Sequence, residues 1–142
     1  MNRKFSNLLG KALLAVAISI PSVVSAQITG PSTVSTPYFV PVAPDVSFTS
    51  ILTAAENVNG YKLSGIMDGL GVLDNADGTF TLFINHEISS SLGVVRAHGS
   101  IGSFVSKWVI NKQDLSVVSG SDLIQNLKLW NGSGYDTYNA AN

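Results

Sequence analysis

The stretch GLGVLDNADGTFTLFIN, residues 69–85, decides the fold class of this chain. An apolar run at residues 69–73 and a second run at residues 79–85 are joined by the turn-forming segment DNADG. Two strand-like runs joined by Asn, Asp and Gly predict a β-hairpin. Both alternating sets of the second run contain apolar residues, which predicts a strand covered on both faces.

A second strand–turn–strand pattern follows the first. Residues 104–110 are β-branched and aromatic, residues 111–114 are polar, and residues 115–118 form a return strand. No amphipathic helical period is visible after residue 26, so we predict an all-β protein of antiparallel hairpins. The second hairpin is similar to the outer strands of a propeller blade.

The first 26 residues have the three parts of a cleaved secretory signal peptide. Basic residues lie at its start, residues 12–20 are apolar, Pro21 interrupts, and residues 24–26 read VSA. The apolar run is too short for a membrane anchor, which needs roughly 20 residues. We therefore predict an exported protein, periplasmic or extracellular, with no stable membrane anchor after cleavage.

Chain length limits the architecture. The 142 residues less the first 26 leave 116, whereas a closed propeller needs at least four blades of about 40 residues each. The mature chain is therefore predicted to be one or two blades of an incomplete propeller, the N-terminal part of a longer protein, or a small open sandwich. In a fragment, unpaired sheet edges are expected to promote self-association.

The mature region divides at residue 60. Residues 27–60 form a Pro/Ser/Thr-rich lead-in whose prolines remove backbone donors, and residues 61–142 form the β-rich, propeller-like region. Within the lead-in we predict one edge strand from Tyr38 to Val42, and either a short strand or a helical turn from Phe48 to Asn57. The Gly-rich residues 130–135 predict an irregular end without a closing strand.

Charge and cysteine content exclude some functions. Loss of Arg3, Lys4 and Lys11 leaves five basic residues against nine acidic ones, a net charge of −4. Such acidity argues against nucleic-acid binding, which needs a basic face. The sequence has no cysteine, so it can form neither a disulfide nor a cysteine-type zinc site.

Oxygen-bearing side chains lie at the ends of the first hairpin's apolar runs. Asp68 begins one strand beside two glycines, and Asn85 and Glu87 end the next, facing opposite to His86. Carboxylate and amide oxygens suit a hard cation such as calcium, so Asp68, Asn85 and Glu87 are candidate metal ligands. Adding His86 would also suit a transition metal.

Three residues, one of them His86, are candidates for catalysis. Arg96 is the only arginine left after cleavage, and His86 and His98 are the only histidines of the chain. An arginine fork matches a phosphate or carboxylate, so this group would suit an anionic substrate. The alternative is structural, since strand ends carry polar residues and histidines are often simply hydrogen-bonded.

Two other motifs have simpler explanations. The segment at residues 74–78 lacks the spacing and distant Glu of an EF-hand, and a hairpin turn explains it better than calcium binding. Asn131-Gly132-Ser133 matches the N-glycosylation sequon, a short pattern that often occurs by chance.

The segments DGLGVL, residues 68–73, and GTFTLFINHE, residues 78–87, resemble the secreted PhoX-like alkaline phosphatase family. The resemblance covers roughly residues 65–123. It implies a β-propeller whose central funnel holds calcium, with iron in the phosphatases, and which hydrolyses phosphate monoesters. Carried over by position, Glu87 would be a metal ligand and Asp68 a second one.

The chain also departs from this family. The phosphatases use a cysteine at their iron, and this sequence has none. Because this departure weighs against catalysis by this chain alone, we predict metal-dependent phosphate-ester hydrolysis as a property of the full-length members of the family. The alternatives are a non-catalytic extracellular propeller for binding or surface structure, and a truncated product without activity of its own.

Overall fold

The computed structural model describes residues 25–138, and residues 1–24 of the predicted signal peptide lie outside this range. The described residues contain ten strands and no helix, which confirms the all-β prediction. Closure into a propeller stays a prediction. The strands are β1 Ala26–Thr29, β2 Ser47–Ser50, β3 Asn57–Val58, β4 Tyr61–Lys62, β5 Ile66–Asp74, β6 Thr79–Glu87, β7 Phe104–Asn111, β8 Val117–Asp122, β9 Lys128–Trp130 and β10 Tyr135–Thr137.

The central element is a four-stranded antiparallel sheet in the order β5-β6-β7-β8. Its first hairpin is the one predicted from residues 69–85. Side-chain acceptors hold the turn: Asp74 Oδ1 accepts the Ala76 N–H at 2.8 Å, and Asp77 Oδ1 accepts the Thr79 N–H at 2.9 Å. Gly78 has a φ of 88°, a conformation that glycine adopts without steric cost.

The second predicted hairpin is also present, with a longer turn. Asp114 Oδ1 accepts the Ser116 N–H at 2.9 Å, and Leu115 has a φ of 61°. The return strand therefore begins at Val117 rather than at residue 115, because the intervening residues build the turn. It also continues to Asp122, beyond the predicted end.

One face of the sheet forms the core. The even-numbered residues of β6 and β7 pair across this face, for example Leu82 with Trp108 and Ile84 with Ser106. Five residues form the buried core: Leu63, Ile84, Trp108, Ile110 and Val117. On the opposite face of β6, Thr81 is buried, whereas Thr79 and Phe83 are half-buried. The predicted burial of both faces of β6 is therefore only partial.

The lead-in packs against this core. Ile51, Leu52 and Val58 contact the buried cluster, and β3 pairs with β4 across residue 60. Strand β2 occupies the start of the segment from Phe48 to Asn57, which contains no helical turn.

The predicted edge strand from Tyr38 to Val42 is wrong, because these residues form bends and irregular structure. Hydrogen bonds from a side chain, rather than from a neighbouring strand, hold this segment: Gln27 Nε2 donates to the carbonyl oxygens of Pro37 at 2.8 Å and Phe39 at 3.1 Å. The strands of this region are instead β1 and β2, which pair in parallel.

The predicted irregular C-terminal stretch is also wrong. Strands β9 and β10 form a small hairpin around the Gly-rich turn, and the rings of Trp130 and Tyr135 pack edge-to-face with centroids 5.2 Å apart. Asn131 Oδ1 accepts the N–H groups of Ser133 at 2.9 Å and Gly134 at 2.8 Å, which closes the turn.

Candidate functional site

A β-bulge positions the candidate metal ligands. The register between β5 and β6 slips between Met67 and Leu70, so Asp68 and Gly69 together lie opposite Asn85. A Cβ atom at Gly69 would lie 2.8 Å from Asn85 Nδ2. Glycine at this position therefore leaves space for the Asn85 amide beside the bulge.

Asp68, Asn85 and Glu87 line one open cleft of about 310 Å³ at this end of the sheet. All three are exposed, whereas His86 between two of them is buried, as strand alternation predicts. Within residues 25–138, neither the Asp68 nor the Glu87 carboxylate has an ion-pair partner. The cleft is lined by Asp68, Asn85, His86, Glu87, Ser103, Phe104, Val105 and Ile124.

The donor set of this cleft is two carboxylates and one amide. Oxygen ligands of this kind fit calcium, which takes six to eight oxygens from side chains, backbone and water. In the part of the chain that the structure describes, no group of three His, Asp or Glu side chains converges on one point. Because the sequence also lacks cysteine, the residues present do not fit the cysteine-containing iron site that the resemblance implies.

His86 lies in the wall of the cleft with both ring nitrogens occupied. Nδ1 bonds to the Ser64 carbonyl oxygen, and Nε2 lies 2.7 Å from Ser106 Oγ. A carbonyl oxygen can only accept a hydrogen bond, so Nδ1 of His86 carries the proton. Trp108 Nε1 donates to Ser106 Oγ at 2.9 Å. The Ser106 hydroxyl is therefore free to donate its own proton to His86 Nε2. The neutral imidazole also stacks on Phe104, with ring centroids 4.2 Å apart.

This environment opposes protonation of His86. Burial is the main cause that lowers the pKa of His86, and the nearby Arg96 charge acts in the same direction. The hydrogen bond to Ser64 and the Asp122 charge act in the opposite direction but do not offset burial. His86 is therefore held as a neutral, hydrogen-bonded group.

Arg96 is committed to contacts within the protein. Its Nη1 lies 3.4 Å from Asp122 Oδ1, and its Nη2 donates to Ser64 Oγ at 3.2 Å. The guanidinium carbon lies 3.5 Å from the centroid of the Phe104 ring, a cation–π contact. The Arg96 side chain is only 8% exposed, so in this conformation its fork faces Asp122 rather than solvent.

His98 lies apart from the cleft. It is half-buried in the loop between β6 and β7, where Gly99 N–H donates to the Arg96 carbonyl at 2.9 Å. Its Nδ1 atom is buried without a hydrogen-bond partner among residues 25–138. The structure therefore brings together Asp68, Asn85 and Glu87, with His86 behind them, but not His98.

Sequence reasoning missed the residues that organise this region. Asp122 accepts hydrogen bonds from the Tyr61 hydroxyl and, at 2.8 Å, from the Ala97 N–H. Burial, followed by the hydrogen bond to Asp122, raises the pKa of Tyr61 well above its usual value. These partners lie 61 and 25 positions from Asp122, and no local motif in the sequence marks them.

Comparisons with family models, curated proteins and solved structures found no match to this chain. Among the described residues, no helix is long and apolar enough to cross a membrane.

Proposed function

We propose that this chain is an exported protein with a calcium site formed by Asp68, Asn85 and Glu87, as part of a PhoX-like phosphate-ester hydrolase. The observation that carries the proposal is the shared cleft, in which a bulge places Asp68 opposite Asn85, and Asn85 lies two positions from Glu87 on the same exposed face. Calcium would bring these groups together by offsetting the repulsion between two carboxylates.

The hydrolase part of the proposal rests on the resemblance of residues 65–123 to the PhoX-like family. In such an enzyme the cation would attract the phosphate of the substrate, and this chain would supply only part of its ligands. Other ligands and the groups that bind substrate would come from further blades.

A second candidate is a non-catalytic calcium-binding β module. It is favoured by the commitment of Arg96 to Asp122 and Phe104, since an arginine that is 8% exposed and already paired is poorly placed to receive a phosphate. His86, with both nitrogens hydrogen-bonded, is likewise poorly placed for proton transfer.

Thermal melting with and without calcium, together with turnover of a generic aryl phosphate, tests both candidates. A cation that binds only the folded state raises the melting temperature by mass action. Glu87→Gln keeps the shape of the side chain, removes its charge and should abolish most of that rise. Lys62→Gln, in β4 and outside the cleft, is the matched control and should retain it.

The outcomes separate the candidates. A calcium-dependent rise with turnover supports the hydrolase, and a rise without turnover supports the binding module. If folded wild-type protein shows no rise, Asp68 and Glu87 are ordinary strand-end residues and the calcium site is wrong.

A further inference from the structure

The two edges of the central sheet differ in how their backbone groups are satisfied. At the β8 edge, Asn59 Nδ2 donates to the carbonyl oxygens of Val117 at 2.8 Å and Val118 at 3.1 Å. The Val117 N–H donates to Ser32 Oγ at 2.8 Å, and β3 and β4 pack against the same strand. Side chains therefore close the β8 edge.

The β5 edge has no such cover. Among the described strands β5 contacts only β6, and all nine of its residues are exposed. Ile66, Leu70 and Val72 are each about two-thirds exposed. Natural edge strands are protected by charged side chains, especially Lys, by Pro or by a bulge. Strand β5 has neither lysine nor proline, and its charged residues are Asp68 and Asp74. Its bulge affects only one end and leaves a regular ladder from Leu70 to Asp74.

The open edge borders an apolar groove of about 870 Å³ on the core face of the sheet. Met67 and Leu70 of β5 form one side of this groove, and Tyr38 and Phe39 of the lead-in contribute to the other. Tyr38 is 95% exposed and Phe39 70% exposed. An occupant of this surface must therefore supply both a β-strand and apolar side chains.

We propose that this occupant is a second copy of the chain, with two β5 strands paired antiparallel about a twofold axis at Val72. In such an isologous contact, each copy's outward N–H and C=O groups meet the same segment of the other copy. Directly opposite residues share a face of the sheet, so the apolar groove of one copy continues into that of the other.

Charge supports this register. Pairing about Val72 places Asp74 opposite Leu70 of the second copy, so no acidic residue of the ladder faces another. Asp74 also forms an exposed ion pair with Lys112 of its own copy. Asp68 lies outside the paired segment from Leu70 to Asp74, so the dimer leaves the cation cleft open.

The oligomeric state of the secreted protein, measured by sedimentation velocity, tests the proposal. We expect a dimer for the wild type. Val72→Lys would place two like charges opposite each other and should raise the dimer dissociation constant by about 100-fold or more. Val118→Lys, at a valine of the closed β8 edge that is 52% exposed against 68% for Val72, should leave the dimer unchanged.

Cysteine substitution provides a second readout, because the natural sequence contains no cysteine and any thiol cross-link must join two copies. Val72→Cys should give a covalent dimer with a short thiol-specific cross-linker, and Val118→Cys should not. A wild-type monomer at high protein concentration, open-ended polymers, or equal cross-linking of the two variants would each overturn the proposal.

Discussion

Arg96 and Asp122 form an ion pair whose side chains are only 8% and 11% exposed, with Nη1 3.4 Å from Oδ1. The pair joins the loop between β6 and β7 to the end of β8. The chain has a second ion pair, between Lys112 and Asp74, whose side chains are 41% and 68% exposed. The two pairs allow a direct comparison of a buried and an exposed interaction.

Removing the acid of the buried pair should destabilise the protein strongly. Asp122→Ala leaves the Arg96 charge buried without its partner and removes the acceptor of the Tyr61 hydroxyl and the Ala97 N–H. We expect the free energy of unfolding to fall by about 3 kcal/mol. Asp74→Ala should cost less than about 1 kcal/mol, because exposed ion pairs contribute little. Equal losses in urea denaturation would contradict the structural role of Asp122.

A methyl group at Gly120 should be poorly tolerated. Gly120 lies opposite Trp108 in the β7–β8 ladder, and a Cβ atom there would lie 2.6 Å from Trp108 Cζ3 and 2.7 Å from Tyr61 Cδ1. We expect Gly120→Ala to lower the free energy of unfolding by about 2 kcal/mol through overpacking. Gly134→Ala, which meets no atom within 4 Å, is the control. A neutral Gly120→Ala would mean that the Trp108–Tyr61 packing is looser than described.

Acidification should destabilise the fold through His86. Because burial lowers the pKa of His86 in the folded state, the unfolded chain takes up a proton first as the pH falls below about 6.5. The contribution of neutral His86 to the free energy of unfolding is therefore fully present above that pH, and it is lost as the pH falls toward the lower folded-state pKa.

The free energy of unfolding, measured at pH 7.5 and at pH 5.5, reports this effect. The pKa values of Asp74, Asp77 and Asp114 are lowered, so these carboxylates change the free energy of unfolding only at lower pH. His86→Gln should be less stable at pH 7.5 but should lose less on acidification than the wild type. An unchanged pH dependence in His86→Gln would assign the effect to other groups.

The cation cleft can be tested without removing a ligand. Gly69→Ala places a Cβ atom 2.8 Å from Asn85 Nδ2, the end of a flexible side chain that can rotate away. We expect folding to be nearly unchanged and the calcium-induced rise in melting temperature to shrink. Gly71→Ala, whose Cβ would make an ordinary 3.9 Å contact with Phe83, should keep the full rise. An undiminished rise in Gly69→Ala would exclude Asn85 as a ligand.

The candidate site was only partly predictable. Strand alternation correctly separated Asn85 and Glu87 from His86, because successive side chains of a strand point to opposite faces. The bulge at Asp68 was not predicted, since a register slip depends on the partner strand. The contacts of Arg96 could not be predicted either, because Asp122 and Phe104 approach it only when the sheet has formed.

The sequence by itself determined that this protein is all-β and where its two main hairpins turn. Those features are local: Asx-type hydrogen bonds at Asp74, Asp77 and Asp114 are made within two residues, and period-two patterning sets the strands between them. Only the tertiary structure decided which side chains became partners. Packing of the lead-in on the core face, the Arg96–Asp122 pair and the open β5 edge depend on contacts between distant segments, whose pairing is fixed by burial and register rather than by neighbouring residues.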